Sequence, residues 1–275
     1  MTTYSERVFN MRVLITGAAG FLGRHLTRHL AANGHTVFAS DVSISAAFAP
    51  GAADYWGWDI REPVETDRPL DAVIHLAAVA SPLLADQNPA AAFNANVQGT
   101  HNVLKLAVQA GAKRFVLAST AHVYGVSPKY LPTDERHPLW LQDTYTTTKL
   151  IGEQLCQMFF DNHGLSYACI RLFNGYGPGQ QTGYFVADKI QQAKEGKIQL
   201  RGRQITKDWV YIDDVVRAYI LALESAFIGP VNVGTGLEGS LGQVAYLIAH
   251  QFDIPLEFLL EQPGGPTRMC ADWGR

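Results

Sequence analysis

The sequence contains few of the features expected of a disulfide-stabilised, zinc-binding or membrane-spanning protein. Only three cysteines, Cys156, Cys169 and Cys270, occur in 275 residues, and no two are spaced C-x-x-C, so we expect buried thiols. No apolar run approaches the roughly 18 residues of a membrane span. Residues 1–10 lack the apolar core of a signal peptide. These absences predict a cytoplasmic location.

The sequence also lacks an excess of positive charge. Lys and Arg number 22 against 25 Asp and Glu, giving a net charge of -3 and a pI near 6.3. This balance argues against nucleic acid or an anionic membrane as a partner and favours a small molecule. His25 and His29 have an i, i+4 spacing, but neither the Glu of an H-E-x-x-H motif nor a third ligand accompanies them, so we predict no metal site.

What the sequence does contain is a regular alternation of short apolar strands with longer amphipathic helices. No hairpin signal separates them, which indicates parallel βαβ units and predicts an α/β fold with a doubly wound, Rossmann-type parallel sheet. The predicted strands are 12–16, 35–40, 71–76, 113–118 and 166–171, and the predicted helices are 21–33, 90–110 and 143–162.

After Arg171 the alternation gives way to shorter elements, beginning with a Gly-, Pro- and Gln-rich stretch at 175–183. We expect a helix near 184–195, strands near 198–200 and 209–211, and a helix at 215–225. The sequence therefore predicts a dinucleotide-binding domain (1–174 and 207–235) and a smaller substrate-binding lobe (175–206 and 236–275).

Gly17, Gly20 and Gly23 form a G-x-x-G-x-x-G pattern between the first strand and the first helix. Unpaired N–H groups and the helix dipole at such a turn favour a pyrophosphate. Asp41 ends the second strand, where a carboxylate can bind an adenosine ribose and repel a 2′-phosphate. No Arg or Lys lies between Asp41 and Trp58, so the pattern favours NAD over NADP.

Tyr145 and Lys149 lie four residues apart, which places a phenol and an ammonium on one face of the predicted helix. Free tyrosine titrates near pH 10, and a neighbouring positive charge favours the phenolate. Ser119 and Thr120 end the preceding strand, and in doubly wound sheets such ends open into the ligand crevice. A hydroxyl there can hold a substrate oxygen beside the phenol.

The chain resembles the extended short-chain dehydrogenases/reductases, in particular the NAD-dependent sugar-nucleotide epimerase/dehydratase family. The matching segments extend through nearly the whole chain: Gly17, Gly20 and Gly23; Asp41; Asp59 in WDI; HLAA at 75–78; NVQGT at 96–100; STAHVYG at 119–125; Tyr145 and Lys149; RLFN at 171–174; GPG at 177–179; KDWVYIDD at 207–214; and NVG at 232–234.

This resemblance implies a catalytic triad of Thr120, Tyr145 and Lys149, with Lys149 also holding the nicotinamide ribose. It further implies that Asn174 contacts the sugar or its diphosphate and that Asp59 lies near the adenine. The remaining NAD-contacting residues that it implies are Phe21, Ile60, Leu76, Ala77, Ala78 and Asn96.

Family dehydratases carry Thr-Asp-Glu before V-Y-G, and family decarboxylases tend to carry Glu where this chain has His122. Here the stretch reads Thr120-Ala121-His122, which disfavours both reactions. An epimerase needs no acid or base beyond the tyrosine, so a nucleotide-sugar epimerase with a transient 4-keto intermediate is the leading interpretation. A sugar dehydrogenase or 4-ketoreductase is the alternative, and a non-catalytic NAD sensor is a remote one. His122 is either a second acid/base that also contacts substrate or a residue of the site wall.

The substrate side departs from the family pattern. Where family members that bind uridine diphosphate sugars usually carry two arginines, this chain has Lys207 and, in Gln-Pro-Gly-Gly, Gln262. Lysine keeps the charge without the bidentate fork that suits phosphate. We expect Arg268 to face a diphosphate. Because family members extend some tens of residues beyond the position of Asp272, a short or truncated lobe is also expected.

The resemblance implies a homodimer through the helix that carries Tyr145 and the helix before it. The apolar positions compatible with such a contact are equally compatible with packing on the sheet: Val97, Leu104, Leu150, Ile151 and Leu155.

Overall fold

A computed structural model describes residues 10–42, 45, 47–125, 127–259, 268–272 and 274. Its strands are β1 (Arg12–Thr16), β2 (Thr36–Asp41), β3 (Asp54–Gly57), β4 (Ala72–His75), β5 (Arg114–Thr120), β6 (Ser166–Leu172), β7 (Asn174–Tyr176), β8 (Ile198–Leu200), β9 (Thr206–Tyr211), β10 (Gly229–Val233), β11 (Glu238–Ser240) and β12 (Leu256–Phe258).

The helices begin and end close to the predicted positions where a prediction was made. They are α1 (Phe21–Ala32), α2 (Pro82–Gln87), α3 (Pro89–Phe93), α4 (Gly99–Gln109), α5 (Thr144–His163), α6 (Phe185–Lys194), α7 (Ile212–Glu224) and α8 (Leu241–Phe252), with a π-helical turn at Asn94–Gln98 and a 3-10 turn at Ala121–Tyr124.

Within the described residues, seven strands form a large parallel sheet in the order β10-β6-β5-β4-β1-β2-β3. Strand β1 pairs in parallel with β2 on one side and β4 on the other, so the chain order reverses at β1. This confirms the predicted doubly wound fold. In such sheets ligands bind beyond the carboxyl ends of the strands at the point of reversal.

The chain forms two compact units. The first contains the described residues up to Ser119 together with Asp143–Cys169 and Val216–Gly229, and the second contains Thr120–Gln142, Ile170–Val215 and the described residues from Pro230 onward. In the first unit, α1 buries Gly23, Leu26, Thr27 and Leu30, one face of the helix. In the second unit, α6 and α8 pack around β8 and β12, with Ile198, Leu200, Ala245 and Ala249 fully or almost fully buried.

A continuous helix was predicted over 90–110, but the structure interrupts it with the π-helical turn at Asn94–Gln98. Two tertiary contacts lie at this departure from the prediction. The side chain of Asn96 is held by the main chain of Val79, and Gly99 lies where a Cβ would be 2.6 Å from Ile60 Cδ1. Both contacts join the helix to residues distant in sequence.

Cys156, Cys169 and Cys270 are free, buried thiols, as the sequence predicts. Among the described residues, no helix has the length and apolar character needed to cross a membrane. The same residues contain no group of three or more His, Cys, Asp or Glu side chains able to hold a metal ion.

Candidate active site

Three glycines shape the turn between β1 and α1, and they differ in how closely other atoms approach them. Gly17 has a φ of +71°, and a Cβ there would lie 2.7 Å from the Ala77 nitrogen. A Cβ on Gly23 would lie 2.3 Å from the Gly17 carbonyl oxygen. At Gly20 the nearest atom would be that same oxygen, at 3.1 Å. The fold thus requires glycine at 17 and 23, whereas a Cβ at Gly20 would make one tight contact that a small shift can relieve.

The start of α1 suits a bound pyrophosphate. Helix α1 begins after Gly20 without a side-chain cap and without an acidic residue in its first turn, so its N–H groups and dipole are available to an anion. Asp41 reaches the same turn, because its Oδ2 accepts a hydrogen bond from the Ala19 N–H at 3.1 Å. The donors at the start of α1 and the acid at the end of β2 together suit NAD.

Asp59 and Ile60 follow β3 in a turn that is hydrogen-bonded to α4. Asp59 pairs with Arg61, which lowers the pKa of its carboxyl. The buried Asn102 amide donates to the carbonyl oxygens of Ile60 and Arg61 at 2.9 and 3.0 Å. Asn102 was not predicted from the sequence, because neither its residue type nor its position on α4 indicates which distant turn it contacts.

His75 ends β4 in a hydrogen-bonded chain whose directions are fixed. The Thr100 hydroxyl donates to the Asn96 carbonyl at 2.6 Å, which can only accept, so Thr100 must accept from His75 Nε2 at 3.0 Å. The other ring nitrogen, Nδ1, then accepts from the Thr16 hydroxyl at 2.6 Å. Burial, together with the smaller effect of the Lys149 charge, lowers the pKa of His75 to about 3. His75 is therefore a neutral, structural imidazole beside the predicted cofactor site.

The side chain of Asn96 links the segment after β4 to α5. Its Oδ1 accepts from the Val79 N–H at 2.7 Å, and its Nδ2 donates to the Val79 carbonyl and the Thr148 hydroxyl. Thr148 in turn donates to the Tyr145 carbonyl at 2.8 Å. Asn96 thus holds the main chain that follows Leu76, Ala77 and Ala78. A direct contact between any of these residues and NAD stays a prediction.

Tyr145 and Lys149 lie on the buried face of α5, as their spacing predicts. Tyr145 packs with Ala85 and Ala92, and the Lys149 Nζ lies 5.8 Å from the centroid of the Tyr145 ring. The Lys149 ammonium donates to the Ala118 carbonyl at 2.9 Å. Burial lowers the pKa of Lys149 to about 8, so the group is still mostly charged at neutral pH. It can therefore favour a phenolate at Tyr145.

In the second unit, Thr120 and His122 lie at the start of the 3-10 turn. The Thr120 hydroxyl accepts from the His122 N–H at 3.2 Å, which caps that turn. Behind the turn, Tyr124 donates to Asn232 Oδ1 at 2.6 Å and accepts from Arg171 at 3.0 Å. The V-Y-G, R-L-F-N and N-V-G motifs therefore meet in one buried network, and their partners were not predicted.

Asn174, at the start of β7, carries a buried side-chain oxygen without a hydrogen-bond partner. Leaving such an acceptor unpaired costs about 1–3 kcal/mol, and a bound substrate can offset this cost. Lys207 is mostly enclosed, which lowers its pKa, and its Nζ lies 3.4 Å from Met269 Sδ. Arg268 forms a bidentate ion pair with Glu238. Gln262 and the rest of its Gln-Pro-Gly-Gly stretch lie outside the described residues.

The glycine turn yields a matched pair of variants. Gly20→Ala places a Cβ 3.1 Å from the Gly17 carbonyl oxygen, a tight contact that a shift of a few tenths of an ångström relieves, so we expect a melting temperature close to that of wild type and an NAD dissociation constant raised at least tenfold. Gly23→Ala forces a Cβ into the Gly17 carbonyl, so we expect a melting temperature lowered by several degrees. Calorimetric NAD titration and thermal melts test both expectations. Equal NAD affinity in wild type and Gly20→Ala would contradict the assignment of this turn to pyrophosphate.

Because His75 is buried and neutral, we expect the free energy of unfolding to fall in acid. The unfolded residue takes up a proton near pH 6.5, whereas the folded residue does so only near pH 3. Over that window the unfolded state binds more protons, so the free energy of unfolding falls as pH falls, by up to about 1.4 kcal/mol per pH unit. We expect His75→Gln to show a shallower decline between pH 6.5 and 4 in urea unfolding. Parallel declines in the two proteins would show that His75 titrates normally.

Comparison with known proteins agrees with this geometry. The model of the NAD dependent epimerase/dehydratase family matches residues 13–234. UDP-glucuronic acid decarboxylase 6 of Arabidopsis thaliana is 30% identical over 287 residues, covering 96% of this chain and 81% of the relative. A putative UDP-glucose 4-epimerase of Methanocaldococcus jannaschii is 31% identical over 267 residues, covering 91% and 86%.

Solved structures give the same result. The UDP-glucose 4-epimerase of Thermus thermophilus, determined in complex with NAD, superposes with a TM-score of 0.84 at 28% identity, covering 95% of this chain and 90% of the other. The corresponding enzyme of Thermotoga maritima, determined with UDP-glucose, gives a TM-score of 0.86 at 28% identity, covering 96% and 90%. The chain therefore belongs to the NAD dependent epimerase/dehydratase family and is an NAD-dependent enzyme of the extended short-chain dehydrogenase/reductase type.

Proposed function

We propose that this enzyme is a 4-epimerase of a nucleotide sugar. The observation that carries the proposal is the pairing of Tyr145 with a buried Lys149, combined with the absence of a carboxylate at positions 121 and 122. This residue set can move one proton at a sugar hydroxyl. It includes no carboxylate of the kind that family dehydratases use to eliminate water.

The residues divide the reaction between them. Tyr145 takes the proton of the sugar hydroxyl as the carbon is oxidised and returns it when the ketone is reduced. Lys149 lowers the cost of the phenolate through its positive charge, since a unit shift in pKa corresponds to about 1.4 kcal/mol. Reversible hydride acceptance is the chemistry that NAD supplies when bound. Inversion then requires only that the ketone present its other face before reduction.

Sequence similarity alone leaves the reaction open, because several relatives at 30–32% identity are UDP-glucuronic acid decarboxylases. What favours epimerisation is the residue at position 122, which is His here and where family decarboxylases tend to carry Glu. A dehydrogenase or 4-ketoreductase would use the same residues with net exchange of NAD and NADH. The distinction therefore lies in whether the hydride returns to the same sugar.

The proposed substrate side lies in the second unit. The unpaired Asn174 oxygen provides an acceptor for a sugar hydroxyl or an amide N–H. Lys207 contributes a positive charge in an enclosed position, which suits a diphosphate. Arg268 would have to leave Glu238 to bind one, so we assign the larger share of diphosphate binding to Lys207.

A homodimer through α4 and α5 is part of this proposal, with a narrower set of contacts than the sequence suggested. Leu104 is fully buried in the protomer's own core and Leu155 packs against that core. Val97, Leu150 and Ile151 remain half-buried, so a partner would contact these three.

The direct test incubates the purified enzyme with UDP-glucose, UDP-galactose, UDP-glucuronate and UDP-N-acetylglucosamine and identifies the products by NMR. We expect a C4-inverted sugar without net NADH absorbance at 340 nm. Tyr145→Phe is expected to lower kcat by about 10²–10⁴-fold, because it removes the acid/base, while NAD affinity changes less than threefold. Stoichiometric NADH would indicate a dehydrogenase, and carbon dioxide with a pentose product a decarboxylase. Full activity of Tyr145→Phe would overturn the mechanism.

His122 has its own test. If it donates or accepts a proton at the substrate, His122→Asn lowers kcat at least tenfold, because asparagine keeps hydrogen bonding and lacks a titratable group. The acidic limb of the pH profile of kcat should change at the same time. An unchanged kcat would assign His122 to the wall of the site.

A further inference from the structure

Helix α5 carries a buried carboxylate that the proposed proton transfer does not use. Glu153 is only 4% exposed and lies four residues after Lys149. Ser119, which immediately precedes Thr120, is 7% exposed, and its hydroxyl donates to Glu153 Oε1 at 2.5 Å. Burying these polar groups costs free energy unless they are paired. Their hydrogen bond is therefore an integral part of the fold.

Two positions one turn apart on α5 contact two consecutive residues of β5. The Lys149 Nζ donates to the Ala118 carbonyl at 2.9 Å, and Glu153 accepts from Ser119. The close approach of helix and strand continues at Gly152, where a Cβ would lie 3.4 Å from Leu117 Cδ2. These contacts fix both the separation of α5 from the end of β5 and its position along the strand.

We propose that Glu153 is a positioning residue for catalysis, which acts by holding the Ser119 hydroxyl and so fixes the end of β5 against Lys149. Thr120 follows Ser119 directly, and Tyr145 lies one turn before Lys149 on the same helical face. The proposal rests on the proposed function for the roles of these residues. Such positioning matters for the reaction rate, since a displacement of a reacting group by about 1 Å can lower the rate about 100-fold.

Ser119→Ala tests the proposal with little change in volume. It removes the hydroxyl and leaves the Ala118 carbonyl available to Lys149. We expect kcat to fall about tenfold, while the NAD dissociation constant stays within threefold. Glu153→Ala should show the same fall in kcat and the same NAD affinity. The kcat of the double variant should be no lower than that of either single variant, because both changes remove the same hydrogen bond. Glu153→Gln keeps an acceptor and should retain kcat within threefold.

Tyr167→Phe is the matched control. Tyr167 on β6 donates its hydroxyl to Gln157 Oε1 on α5 at 2.6 Å, one turn further from Tyr145 than Glu153. This variant also removes a strand-to-helix hydrogen bond, here a partly buried one, so loss of stability alone would affect both proteins. We expect its kcat to equal that of wild type. A Ser119→Ala enzyme as fast as Tyr167→Phe, or a Glu153→Gln enzyme as slow as Glu153→Ala, would overturn the proposal.

Hydrogen exchange provides a readout that does not depend on the substrate. In the protein without nucleotide sugar, amides of residues 114–122 should exchange at least threefold faster in Ser119→Ala than in wild type, with no such change in Tyr167→Phe. If wild type converts no nucleotide sugar, the proposed function fails, while exchange still tests the positioning of β5. Unchanged exchange in Ser119→Ala would refute the positioning role in either case.

Discussion

The amine of Lys149 is buried, and a buried ammonium is stable only where polar atoms replace the water it has lost. One of these atoms is the Ala118 carbonyl oxygen, 2.9 Å from Nζ near the end of β5. The cost of burial appears as a pKa lowered to about 8. This requirement ties α5 to β5 and keeps the lysine mostly charged near neutral pH, where the proposed mechanism uses that charge to favour the Tyr145 phenolate. An amine buried further from water would lose its positive charge. If the ammonium were more exposed, water would screen its interaction with Tyr145.

The surrounding hydrogen bonds leave few alternative arrangements. Main-chain carbonyls of Asn96 and Tyr145 can only accept, and this fixes the hydroxyl directions of Thr100 and Thr148. The direction at Thr100 then determines the tautomer of His75, and the direction at Thr148 determines the orientation of the Asn96 amide. Buried networks in which every donor has an acceptor specify one arrangement. The segment after β4 and the first turn of α5 are held in this way before any ligand binds.

Local sequence signals predicted those parts of the fold that depend on local chemistry. Strands β1 and β8 have the predicted bounds, and α5 differs from its prediction by one residue at each end. The short strand β3 and helix α8 were not predicted, although the Ser240–Gln243 capping box marks the start of α8. In the site, spacing predicted the shared face of Tyr145 and Lys149. It could not predict Asn102 or Glu153, because their partners Ile60 and Ser119 lie 42 and 34 residues away.

The proposed substrate side contains a charge that is present in the sequence but already paired within the fold. Arg268 forms an ion pair with Glu238. This pairing lowers the pKa of the Glu238 carboxyl and raises the pKa of the Arg268 guanidinium, so it stabilises the charged form of both groups. Thr206 adds a further donor to the same carboxylate. An anionic ligand would have to compete with that carboxylate for the arginine. The Lys207 ammonium lies against the Met269 sulfur, an uncharged neighbour, and this difference from Arg268 is why the proposed diphosphate site is centred on Lys207.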